Sequence, residues 1–376
     1  MVASRTSQTA LKYLSKDFSI GLELLIDRTR KAAEEVGYRF PYFADESGIW
    51  ITTSDGDWCG GHWVGMLWLA YRRTRDVFFR ELALRLTRRL AERVSAADMF
   101  RGMIHYYSAA VGSDLTGNKQ LANTAVRAAE GICAMYNPKA RMIPLGSEVK
   151  IRGAAVSGNE KGAVDNAAVP LMVVWWAWKR TGRLEFAEVA TVVTEQVCNW
   201  FIRPDGSTWQ VGIFNPESGE LVRRQTILGY SDESCWSRGQ AWLLYGLANA
   251  YYYSRNSSFL DSFRRVWHYF QSRLPSDRVP YYDFSDPRIP GVPRDTSAAS
   301  VAAAGLALLS EADEADLSEY RKWSEAIVAS LLSRYCTEDG RLTQGCFNLP
   351  AQVATHNELV WGSYYLMETL DRLAGW

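Results

Sequence analysis

The sequence predicts an all-α protein, a closed toroid of six helical hairpins with an inner and an outer ring. Three observations carry this. Apolar residues recur with helical periodicity over twelve stretches, and hardly any segment alternates as a strand does. Several stretches pair as a small-residue-rich helix, a short polar break and an amphipathic helix. The pairs return at roughly 45–75 residues, a spacing that suits hairpins packed side by side.

In chain order the predicted helices span 18–37, 62–75, 77–95, 103–113, 117–135, 163–181, 184–202, 238–254, 258–274, 296–311, 317–334 and 358–373. Gly65–Thr74, Val173–Thr181 and Gln240–Asn249 are apolar on most sides, so their helices belong to a buried inner ring. Their partners carry Arg/Glu-rich stripes and should face water. Between pairs run longer connections rich in Gly, Asp, Trp and Pro: 40–61, 136–162, 203–237, 275–295 and 335–357. Loops this long inside a compact domain are usually functional, and gathered at one end of the toroid they would build a pocket over the inner ring. Segment 205–225 predicts a small hairpin turning near Pro216–Gly219. No interdomain linker interrupts the pattern, so residues 1–376 are read as a single domain.

Composition narrows the function classes. The 376 residues carry 42 basic and 42 acidic side chains, a net charge of zero that argues against a nucleic-acid or polybasic membrane surface. The longest apolar stretch, Ala163–Trp178, contains Asp165 and Asn166 and falls short of a bilayer span. No apolar signal core follows Met1–Gln8, which predicts a cytoplasmic protein. Six scattered cysteines without a C-x-x-C pair read as reduced thiols, and four histidines without ligand spacing predict neither metal nor cofactor. The unusual feature is aromatic: fifteen Trp, nineteen Tyr and fourteen Phe. Such rings either fill a large helical core or stack on sugars.

Two segments can carry chemistry. In Gly229–Trp242, Ser234 or Ser237 can cap a helix whose first turn holds Arg238 and Gln240, with Trp236 and Trp242 on either side. A cation in a first turn opposes the helix dipole and calls for compensation. Either it grips a carboxylate or sugar hydroxyls between the indoles, or it pairs with Asp232 or Glu233. In Ala163–Pro170, the pair Asp165-Asn166 opens a strongly apolar helix. Asp165 either caps that helix or sits in the pocket, where burial would raise its pKa toward that of a general acid.

With these residues in view, the sequence resembles the unsaturated glucuronyl hydrolases, glycoside hydrolase family 88. The resemblance is carried by Trp63–Tyr71, Asp165-Asn166 with its apolar helix, Asp205–Thr208, Gly229–Trp242, Asp295–Ser300 and Val360–Tyr365. It implies an (α/α)6 barrel. It also implies that Asp165 is general acid and base in hydrating a 4,5-unsaturated uronide, and that Trp236, Arg238, Gln240, Trp242 and Asn166 belong to the substrate site. Aligned on Gly102 and Leu115–Gly117, the family's His-Asp pair falls on Met99 and Phe100, with Asp98 two positions early. A family histidine falls on Gln210 and a glutamine on Leu228. The pocket so implied keeps its acid and becomes more apolar.

These substitutions admit a hydrolase or hydratase acting on a different unsaturated sugar or a less polar enol ether or alkene. They also admit a carbohydrate-binding scaffold without turnover. A surviving Asp165 favours the enzyme, with an oligosaccharide or small molecule as substrate. An epimerase would want paired histidines, and a protein-interaction solenoid would not need aromatic-rich loops between its hairpins.

Overall fold

The computed structural model describes residues 17–149, 151–152, 156–312 and 317–375. The Met1–Gln8 stretch therefore lies outside the described residues, as do positions 150 and 153–155 of the 136–162 connection.

Among the described residues the helices are α1 (Phe18–Val36), α2 (Gly60–Thr74) and α3 (Val77–Leu90). Next comes α4, in which Arg101–His105, a π-type turn at Tyr106–Ala110 and Val111–Thr116 run on without a break. Then follow α5 (Lys119–Ala134), α6 (Leu171–Thr181), α7 (Leu184–Phe201), α8 (Ser237–Ser254) and α9 (Ser257–Arg273). The last three are α10 (Thr296–Ser310), α11 (Ser318–Ser330) and α12 (Val360–Leu373).

The even-numbered helices touch in the order α2, α4, α6, α8, α10, α12 and back to α2, and each odd-numbered helix packs outside them. α1 closes the ring by packing against α12. This is an (α/α)6 barrel. Burial follows the ring. α8 is buried without a break from Ser237 to Tyr251, and α10 from Thr296 to Leu309. The outer α3 buries a single stripe of Phe79, Leu82, Ala83, Leu86 and Leu90, the spacing of one helix face.

Chain direction explains where the loops gather. Four inner helices hand over to outer ones through two residues only: Arg75-Asp76, Gly117-Asn118, Gly182-Arg183 and Arg255-Asn256. In each the first residue is left-handed, with φ of 58°, 69°, 72° and 56°, which ends the helix in one step. In three the second residue caps the next helix: Asp76 accepts from Phe78 N at 2.8 Å, Asn118 from Gln120 N at 2.9 Å and Asn256 from Ser258 N at 3.0 Å. Short turns thus occupy the C-terminal end of the inner ring. The long connections enter at its N-terminal end, which is the one-sided arrangement a pocket requires.

Those connections contain short strands. β1 (Phe40–Ala44) pairs antiparallel with β2 (Trp50–Thr53). β3 (Lys161–Ala163), β4 (Val211–Phe214) and β5 (Leu221–Gln225) form a three-stranded antiparallel sheet. The β4–β5 hairpin is the one expected over 205–225, while β1, β2 and β3 were not foreseen. The hairpin turns where Gly219 takes a φ of 81° and Asn215 N donates to Glu220 O. The helix expected from 163 starts later. Val164–Ala167 is a 3-10 turn, and α6 begins after Pro170, whose ring pre-sets helical φ and whose missing N–H is no loss at a helix start. No described helix is long and apolar enough to cross a membrane. Much of the aromatic content is core, since Trp63, Trp68, Trp175 and Trp361 are fully buried.

Candidate active site

Asp165 lies on the 3-10 turn between β3 and α6, and its neighbours hold that turn rigidly. Asn166 accepts from Ala163 N at 2.7 Å and donates to Ile143 O at 2.6 Å. Val164 N donates to Gln210 O at 2.8 Å. Glycines let the flanking helices press against the turn. A Cβ on Gly102 of α4 would stand 2.4 Å from Pro170 Cα, and one on Gly246 of α8 would stand 2.5 Å from Ala167 C.

The carboxyl of Asp165 is not a cap. Its main-chain oxygen accepts from Ala168 N and Val169 N, while Oδ1 is shut from water and has no protein partner. Burial pushes its pKa up to about 7, and the positive charge of Arg238 pulls only partly the other way. A buried acid that is half-protonated near neutral pH can give a proton and take one back.

Two adjoining cavities open on this carboxyl. The aromatic one is lined by Trp58, Trp236, Trp242 and Phe347, with Arg238 and Val169. The aliphatic one is lined by Met99, Leu145, Val149, Val156, Ala163, Val211 and Ile227, with Gln210. Phe100, Ile151, Asp165 and Leu228 border both. The space open to the centre of a water molecule is about 20 Å³ in the first and 30 Å³ in the second, room for one to a few waters. Trp58, Phe100 and Trp236 each lie within two residues of the start of an inner helix, so the cavities face helix N-termini, whose partial positive charge favours anions.

Arg238 lines the aromatic cavity but pairs with neither Asp232 nor Glu233. It is buried and ion-paired with Asp295, and it donates to Cys346 O at 2.6 Å and Phe347 O at 2.5 Å. Its guanidinium lies 4.7 Å from the Trp236 ring centre. Asp232 and Glu233 are engaged elsewhere, accepting from Thr226 N and Trp209 Nε1. Trp236 itself holds the cap position of α8, without a side-chain cap. Ser237 Oγ donates to Tyr282 O, and Ser234 Oγ to Asp283 Oδ2.

Of the residues marked in the sequence, Asp165, Trp236, Arg238, Trp242, Phe100, Gln210 and Leu228 come together. Asn166 and Gln240 stay outside the cavities. Both amide ends of Asn166 hold the Asp165 turn, and Gln240 bonds Cys235 Sγ, Gly206 O and Val266 O. Gln210 is half-committed: its Oε1 accepts from Thr226 Oγ1, Ile227 N and Leu228 N, shaping the turn that carries Leu228. Asp98 points away, bonding Phe100 N at 2.8 Å and Arg93 at 3.1 Å, so it does not replace a carboxylate beside Asp165. His62 and His105 are buried outside both cavities, their pKa values lowered to about 3 by burial. Trp58 and Phe347 were missed by sequence reasoning. Trp58 carried a signal, as an aromatic just ahead of an inner helix. Among the described residues no three His, Cys, Asp or Glu gather to hold a metal ion.

No family model matches the chain. Over 360 residues it is 29% identical to the unsaturated glucuronyl hydrolase of Bacillus sp. (strain GL1), covering 92% of this chain and 93% of that one. It is 27% identical to the unsaturated chondroitin disaccharide hydrolase of Streptococcus agalactiae serotype III (strain NEM316), over 91% of this chain and 89% of that one. The crystal structure of the Bacillus sp. GL1 unsaturated glucuronyl hydrolase matches with a TM-score of 0.88 at 26% identity, over 95% of this chain and 97% of that one. Over nearly its whole length the chain is similar to the unsaturated glucuronyl hydrolases, in sequence and in fold. Phe100, Gln210 and Leu228, where the family resemblance calls for Asp, His and Gln, all line the aliphatic cavity, so the departures are concentrated on one side of Asp165.

Proposed function

We propose that this chain, like the unsaturated glucuronyl hydrolases it resembles, hydrolyses a 4,5-unsaturated uronide, with Asp165 as general acid and base. Asp165 protonates C4 of the enol ether, and positive charge develops at C5 and the ring oxygen. Water adds to C5 and returns a proton to Asp165. The hemiketal then opens by breaking the bond from C5 to the ring oxygen, and the hemiacetal left at C1 expels the group it carried. One carboxylate handles both transfers, unlike direct glycoside hydrolysis, which uses two.

The observation that carries this reading is the unpartnered, high-pKa carboxyl of Asp165 between Trp236, Trp242 and Trp58. Indole faces suit a sugar ring, and the helix N-termini suit its carboxylate. On this reading the chain is a single cytoplasmic catalytic domain working on an oligosaccharide or small molecule; its balanced net charge gives no basic surface for nucleic acid. The test is the loss of the unsaturated-uronate absorbance on incubation with unsaturated glucuronides, for the native chain and Asp165→Asn. Turnover that survives the substitution would remove Asp165 from its role.

A further inference from the structure

We infer that the aliphatic cavity beside Asp165 receives an apolar aglycone, an alkyl or aryl group at C1 of the unsaturated sugar, where a second sugar would otherwise sit. The inference rests on the hydrolase reading above and names its substrate class.

The two cavities meet at the proton donor and differ in chemistry. The aromatic one offers flat indole faces and is the natural seat of the sugar ring. The other is walled by Met99, Phe100, Leu145, Val211, Ile227 and Leu228. Its one amide, Gln210, directs Oε1 into the 226–228 turn through three hydrogen bonds. Among the described residues lining this cavity there is no cation and no hydroxyl. An amino sugar or sulfated sugar entering here would give up hydrogen bonds to water without replacement, at about tenfold or more in affinity for each. An alkyl group loses nothing on entry and gains about three- to fourfold per buried methylene. The small free volume predicts that this gain stops after a short chain.

The test uses alkyl 4,5-unsaturated glucuronides from methyl to hexyl, the phenyl analogue, and unsaturated disaccharides ending in N-acetylhexosamine with and without sulfate. Binding to the full-length Asp165→Asn variant is measured by calorimetry, and kcat/KM of the native chain by loss of the unsaturated band. Affinity and kcat/KM are expected to rise about three- to fourfold per methylene before levelling, with the disaccharides a hundredfold or more below butyl. Ile227→Asn should flatten the alkyl series while leaving methyl glucuronide binding within about threefold. A flat alkyl series in the calorimeter, or tighter binding of either disaccharide, overturns the inference whether or not turnover occurs. Tight, chain-length-dependent binding without turnover of any compound would instead defeat the hydrolase reading and leave the apolar site standing.

Discussion

Arg238 and Asp295 form a buried ion pair that joins the first turn of α8 to the cap of α10. Asp295 Oδ1 also accepts from Ser297 N at 3.1 Å and Ser297 Oγ at 2.6 Å. The charge on Arg238 is therefore balanced from the side away from the cavity. This lets a guanidinium lie near Asp165 without stripping the acid of its proton. Asp295→Asn removes the balance. Breaking a buried pair from one side costs about 3–5 kcal/mol, so thermal unfolding should fall accordingly. The exposed positive field should also draw the Asp165 pKa down, moving the alkaline limb of kcat/KM below that of the native chain.

The native limb itself follows from Asp165. Proton donation needs the acid form, so kcat/KM should decline as pH rises through about 7. Asp165→Asn should lower turnover by about 10²–10⁴-fold. Stability has its own sign. Because the folded pKa is raised, the stability linked to this proton is complete below the ordinary carboxylate range and is lost as pH rises through about 7. Asp165→Asn should therefore gain on the native chain between pH 4 and pH 8, by on the order of 1–3 kcal/mol after allowing for the partly open side chain. Chemical denaturation at both pH values measures this.

Gly246 holds the acid in place from below. Its substitution by Ala would set a Cβ 2.5 Å from Ala167 C and 2.6 Å from Ala167 O, and backbone cannot yield as a side-chain tip can. Gly246→Ala should cost about 1–3 kcal/mol through overpacking. It should also reduce kcat more than it changes KM, because the displaced turn carries the proposed proton donor.

Phe100→Asp sets a carboxylate across the cavity from Asp165. Like charge raises the neighbouring pKa, so the alkaline limb should move upward. Removing the buried ring should cost about 3–5 kcal/mol of stability. If turnover of unsaturated glucuronyl disaccharides rises as well, the loss of one polar side chain accounts for the altered pocket.

Sequence and structure divided the work unevenly. α8 and α10 were legible because an inner helix must be apolar all round, and no loop or strand shows that pattern at that length. Asp165, Trp236 and Trp242 were legible because a carboxylate in an apolar run and paired indoles beside a polar turn are costly to bury without use. β1 and β2 were not legible. Strands of four and five residues hold no periodicity of their own, and Phe43 is paired with Leu359 from the far end of the chain. Asn166 and Gln240 misled because an amide at a motif position serves a ligand or the backbone equally well, and only its neighbours decide which.

What the amino-acid order settled alone was the ring of hairpins and the choice of Asp165, Trp236 and Trp242 as candidate site residues. These depend on side-chain type and spacing along the chain. What tertiary structure decided was the partner of Arg238, the orientation of Asp98 and the division of the pocket into an aromatic and an aliphatic side. Each of these depends on which of several capable groups lies within about 3 Å, and that distance is set by how six inner helices close on one another.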